Sequence, residues 1–94
     1  MIASIEVKRL EHDDGYTFQV TVREGGETSH HRVVLRGADY ERLTSSKTSP
    51  ETLVAESFRF LLAREPKEAI LGSFDLSAIG RYFPEYTREI ARLL

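Results

Sequence analysis

Apolar and polar residues alternate along the first third of the chain and then change to a helical rhythm. Ala3, Ile5 and Val7 alternate with Ser4, Glu6 and Lys8, and after His12-Asp13-Asp14-Gly15 the alternation resumes with Tyr16, Phe18, Val20 and Val22. A period of two marks half-buried strands. Gly25-Gly26 between Glu24 and Glu27 is a two-residue hairpin signal, and such a loop fixes a register. That register pairs Val22 with Ser29, Val20 with His31, Phe18 with Val33 and Tyr16 with Leu35, placing the apolar residues of both strands on one face. A turn at Asp13 to Gly15 adds Ile5 and Val7 to that face. The other face then carries Lys8, Thr17, Gln19, Thr21, Arg23, His30 and Arg32.

The rhythm becomes helical after Leu35. Gly37 is placed to cap a short helix over residues 38–43 with Tyr40 and Leu43 inward, and a polar loop runs from Thr44 to Ser49. PETLVAESFRFLLAR, residues 50–64, carries the longest helical apolar pattern. Leu53, Val54, Phe58, Leu61 and Leu62 share a face that Phe60 widens, and Thr52, Glu56 and Arg59 are left to solvent. Ser49 suits the N-cap, Pro50 the first helical position, and Pro66 ends the helix near Arg64. A brief helical turn to Leu71 follows. Ser73 or Asp75 then caps a helix with Leu76, Ile79 and Phe83 on one side, and PEYTREIARLL closes the chain with Tyr86, Ile90, Leu93 and Leu94 at helical spacing. The expected fold is α+β in a single domain: a three-stranded antiparallel meander packed by the 50–64 helix and short C-terminal helices. Strand 1 or strand 3 is then a free sheet edge, which Lys8, Arg9, Arg32 and Arg36 are placed to guard.

Composition narrows function by subtraction. Among 94 residues, 13 Lys and Arg face 15 Asp and Glu, and neither half has an excess that would draw in nucleic acid or acidic lipid. Cysteine is absent, which fits a reducing compartment, and MIASIEVKR has no basic segment leading into an apolar one. A soluble cytoplasmic location is expected. His30 and His31 are neighbours on a strand, so they point to opposite faces and do not chelate one ion together. His12 with Asp13 and Asp14 reads as an acidic turn, and His31 as a hydrogen-bonded residue at the core margin. Gly25-Gly26 lacks the helix and lysine of a phosphate loop, and no serine stands in a nucleophile-elbow pattern. No catalytic, metal or cofactor residues are assigned, and a non-enzymatic role is expected.

Two resemblances add to this reading. Strand HRVVLR, helix ADYERLT, loop SSKTS and helix PETLVAESFRFLLAR resemble the ribbon-helix-helix family of dimeric DNA-binding repressors. That resemblance makes Arg32, Val34 and Arg36 the positions that would face DNA, and it supplies the alternative reading. EPKEAILGSFDLSAIGRYFPEY, with SPETLVAESFRFLLARE before it, resembles a family of small uncharacterised bacterial proteins that end in a similar FDL…RYFPEY segment. It implies a bacterial cytoplasmic origin and brings no catalytic residues. The leading expectation is a small protein-binding or adaptor domain acting on a protein partner or as a homodimer. Its candidate interface is Arg81, Tyr82, Phe83 and Tyr86, aromatics around a proline turn that serve either as a packed corner or as an offered patch.

Overall fold

A computed structural model describes residues 3–11, 15–45 and 47–94. The acidic turn at His12 to Asp14 and the loop residue Ser46 lie outside them. The alternating segments form β1 (Ser4–Glu11), β2 (Gly15–Glu24) and β3 (Glu27–Arg36). Gly25 and Gly26 both take positive φ, 60° and 83°, as a two-residue hairpin turn requires. The register is the expected one: Val22 opposite Ser29, Val20 opposite His31, Phe18 opposite Val33, Tyr16 opposite Leu35. Phe18, Val20, Val22, Val33 and Leu35 are fully buried on that shared face, and Ile5 and Val7 pack beside them from β1. The opposite face exposes Lys8, Gln19, Arg23, His30 and Arg32.

The sheet has four strands, one more than the meander expected. Residues Ser73–Asp75 form β4, parallel to β3, in the order β1-β2-β3-β4. The Arg32 N–H donates to the Gly72 carbonyl and the Leu76 N–H to the Val34 carbonyl, both at 2.8 Å. Phe74 sits opposite Val33, on the buried side of the sheet. Two expectations are corrected here. Ser73 and Asp75 belong to a strand and the N-cap position of the helix that follows is Ser77, and β3 is an interior strand over Arg32 to Val34, so the free edges are β1 and β4.

The helices follow as α1 (Gly37–Thr44), α2 (Pro50–Leu62), a 3₁₀ turn (Lys67–Ala69), α3 (Ala78–Tyr82) and α4 (Tyr86–Leu93). Ser49 caps α2, its hydroxyl oxygen accepting the Thr52 N–H at 3.1 Å, and Pro50 holds the first helical position. Beyond Leu62 the Arg64 and Glu65 N–H groups both donate to the Leu61 carbonyl before Pro66 turns the chain. Leu53, Val54 and Phe58 of α2 are fully buried against the sheet, and Phe60 and Leu61 extend that face toward the C-terminal helices. Burying each such side chain contributes about 1.5–3 kcal/mol, which makes α2 the main lid of the sheet. Tyr86 and Ile90 of α4 complete the core, while Leu93 and Leu94, at the same helical spacing, are 48% and 39% exposed.

Arg9 shows how the sheet edge is tied to the lid. The β1 register slips between Arg9 and Glu11, and Arg9 itself lies opposite Phe18 on the helix side of the sheet. From there it grips Glu51 of α2 through two bonds of 2.7 and 2.8 Å and lies 4.9 Å over the Tyr16 ring. Arg9 therefore clamps β1 to the α2 N-terminus, where a carboxylate also suits the helix dipole.

A candidate docking cleft beside the fourth strand

Pro66 releases the chain from α2 into the 3₁₀ turn, where Lys67 anchors it. The Lys67 ammonium donates to Glu68 at 2.5 Å and to Glu27, at the start of β3, at 3.1 Å. Its side chain is covered to 4% exposure. The Glu68 bond first, then the Glu27 bond, pushes the Lys67 pKa up, so the anchor stays charged. Ile70 then turns into the core and Leu71 turns out, 53% exposed.

The run into β4 is held from below by His31. Its Nδ1 lies 2.8 Å from the Leu71 carbonyl, which only accepts, so Nδ1 carries the proton. Ser29 Oγ stands 2.8 Å from Nε2 and donates to it in the neutral imidazole. With both nitrogens engaged and 4% exposure, His31 is the hydrogen-bonded core-margin residue expected. It also does something the sequence did not suggest, fixing the loop that delivers β4.

Asp75 sets the exit. Burial raises its carboxyl, yet bonds from the Ser77 backbone and hydroxyl, with Arg36 nearby, outweigh that and hold the pKa below its ordinary value. The Ser77 N–H donates at 2.9 Å and Arg36 Nε at 3.0 Å. Asp75 thus closes an Asx turn that starts α3 at Ala78. Phe83 leaves the helix with φ −128° and ψ 89°, which sends the aromatics of the expected interface in different directions.

Tyr86 goes to the core, 2% exposed, its hydroxyl 2.7 Å from Ser57 Oγ. Phe83 is half-buried, edge-on to Phe60 with ring centres 5.8 Å apart. The Arg64 guanidinium covers Phe60 at 3.7 Å and pairs with Glu85 at 3.1 Å, bracing this corner from outside. Tyr82 remains on the surface, 72% exposed, beside an exposed Arg81. The segment is therefore both corner and patch: Tyr86 is structural, Phe83 packs half-buried against Phe60, and Arg81 and Tyr82 face outward.

Between these parts lies an open cleft of about 370 Å³. The end of α2 supplies Leu61 and Glu65, the stretch into β4 supplies Ala69, Ile70, Leu71 and Phe74, and α3 with its exit supplies Ala78, Ile79, Tyr82 and Phe83. Glu65 is the one charged residue of the lining. Leu71, Phe74 and Glu65 were not among the sequence candidates; an exposed leucine before Gly72 is the only local signal for any of them. The alternative candidates lie elsewhere. Arg32 and Arg36 are exposed on the outer sheet face, Arg32 beside a shallower hollow of about 210 Å³ with Gln19 and His30, and Arg36 engaged by Asp75. Among the described residues no three His, Cys, Asp or Glu side chains gather to hold a metal ion, and no helix is long and apolar enough to cross a membrane. No protein family, curated protein or solved structure matches the chain.

Proposed function

We propose that this chain is a small non-enzymatic protein-binding domain of the bacterial cytoplasm, which docks its partner in the cleft beside β4. One observation carries the reading: Tyr82 and Leu71, 72% and 53% exposed, line an apolar cleft that no described residue fills. Exposed aromatic and aliphatic side chains around a concavity are the anchors and pocket of a protein interface. Glu65 and the Tyr82 hydroxyl are the polar side-chain groups of the lining, and acid–base or nucleophilic chemistry needs more convergence than they offer. The pairing of β3 on both sides over Arg32 to Val34 supports ranking this reading above a ribbon-helix-helix one, which would need that strand free for its twin.

Photo-crosslinking in cells tests the proposal. Tyr82→benzoylphenylalanine is expected to give a covalent adduct with a protein, and Thr87→benzoylphenylalanine, on an exposed part of α4, none. Absence of any protein adduct at position 82 would overturn it.

A further inference from the structure

We infer that residues 67–75, from the 3₁₀ turn through β4, form a strap that opens as a unit while the rest of the sheet stays folded. The strap supplies one wall of the cleft, through Ala69, Ile70, Leu71 and Phe74, so its opening sets the width of the cleft. This motion belongs to the free chain, whatever docks there. A segment opens ahead of the rest of a fold when few buried apolar side chains oppose the conformational freedom its backbone regains. Along the strap only Lys67 and Ile70 are buried; Phe74 and Asp75 are half-buried and the other residues exposed. Ile70 is thus the one apolar side chain of the strap that the core encloses. Both Ile70 and Phe74 border the cleft, whose open side offers them no packing atoms. The pairing is short as well. β4 meets β3 only over Arg32 to Val34, whereas β2 meets it from Gly15 opposite Arg36 to Glu24 opposite Glu27. Side chains complete the attachment: Lys67 to Glu27, Arg36 to Asp75, and His31 to the Leu71 carbonyl. Glu27 and Arg36 are 75% and 74% exposed, so water competes for both ion pairs and His31 is the firmer latch. The ends are fixed. Before Pro66 the Arg64 and Glu65 N–H groups close α2 on the Leu61 carbonyl, and beyond Asp75 the fully buried Leu76 leads into α3. When the strap swings out between these ends, the cleft loses a wall and the β3 groups that faced β4 meet water.

Native-state amide hydrogen exchange, followed by NMR on the native chain, reads the opening at two neighbouring amides of β3. The Arg32 N–H donates to the Gly72 carbonyl of the strap, while strand alternation turns the Val33 N–H toward Phe18 of β2. The Arg32 amide is expected to be protected at least about 100-fold less than the Val33 amide, because it needs only the strap to open. The Leu76 amide, which donates to the Val34 carbonyl at the other end of β4, is expected to match Arg32 within about threefold. Both should be nearly indifferent to guanidinium below the unfolding transition, where Val33 tracks global unfolding. Equal protection of Arg32 and Val33 with one denaturant dependence would overturn the inference, as would Arg32 and Leu76 opening separately. A lock supplies the second arm. The chain has no cysteine, and Arg32 and Ser73 are register neighbours with exposed side chains, so Arg32→Cys/Ser73→Cys places a thiol pair across β3 and β4. Oxidation, verified by mass, is expected to slow exchange at Ile70 and Leu76, on either side of the bridge, by about tenfold or more, and reductant to restore it. Exchange at Ile70 and Leu76 that is the same in the oxidised and reduced forms would overturn the strap as a unit.

Discussion

Ser57 and Tyr86 form a side-chain hydrogen bond buried between α2 and α4, and their exposures of 0% and 2% make its energetics separable from solvent. Ser57 Oγ donates its proton to the Leu53 carbonyl at 2.7 Å, so at the 2.7 Å contact with Tyr86 the tyrosine is the donor. The two deletions therefore differ. Tyr86→Phe removes a donor and leaves the Ser57 proton satisfied, costing about 1 kcal/mol, the net worth of a neutral bond. Ser57→Ala strands a buried hydroxyl, a penalty of about 1–3 kcal/mol, offset in part by the better helix propensity of alanine, about 0.5 kcal/mol. The double variant removes both polar groups and should lie within about 1 kcal/mol of native, giving a coupling of about 1–2 kcal/mol.

Guanidinium unfolding followed by far-UV circular dichroism measures all four proteins. The alkaline limb supplies an independent check. Burial pushes the Tyr86 hydroxyl from 10.0 up to about 12. The unfolded chain thus loses this proton first, so the stability is complete below pH 10 and drains away as pH rises from 10 through 12. Two pH units correspond to about 3 kcal/mol. Tyr86→Phe should lack that share of the decline, and the difference between the two pH profiles isolates it from other titrating groups. Singles that simply add in the double variant, or identical alkaline profiles for native and Tyr86→Phe, would refute the assignment of donor and burial.

Two further outcomes follow from the sheet. Arg9→Ala should let the Glu51 carboxyl return toward 4.5 from the lower value that chiefly the Arg9 bond imposes. The pair is about a third exposed, so the stability lost is below about 1 kcal/mol. That increment is present above pH 4.5, fades as acid protonates Glu51 through its lowered pKa, and shrinks with salt; an unchanged Glu51 titration by NMR would remove the clamp from the account. Gly15→Ala should cost about 1–3 kcal/mol, because a Cβ there meets the Leu35 carbonyl oxygen at 2.7 Å and forces β2 away from β3. Gly72→Ala, with no atom within 4 Å of its Cβ, is the matched control and should stay within about 0.5 kcal/mol of native in the same denaturation series.

What the sequence revealed and what it hid divide along a physical line. The β2–β3 register was legible because a two-residue turn leaves one pairing that keeps Phe18, Val20, Val33 and Leu35 together, and a shift of one residue would expose all of them. The α2 face was legible for the same reason at a different period. β4 was not, since three residues cannot display an alternation and its place is set by main-chain groups of Arg32 and Val34 far back in the sequence. Ser57 was passed over because a serine inside an apolar face has no meaning until Tyr86 arrives from 29 residues away. Arg9 was assigned to guarding an edge, and only the partner across the sheet shows it as a clamp. At the candidate interface, neighbours Tyr82 and Phe83 part company with Tyr86 where Phe83 leaves the helix, a backbone event that residue identity does not announce.

The two ends of the sheet are treated differently, and that difference supports placing the docking surface at β4. β1 is long, eight residues, but its register slips between Arg9 and Glu11, Lys8 stands exposed on it, and Arg23 crosses from β2 to Glu6. Those are the devices that keep an edge from recruiting strands. At β4, Gly72 and Leu76 spend their bonds on β3, and strand alternation turns the main-chain groups of Ser73 and Asp75 to the free side. Three residues present too few such groups to hold a strand alone. A partner docked there, as proposed, would have to draw its affinity from side chains, and the apolar cleft lined by Tyr82 and Leu71 is where this chain would offer them.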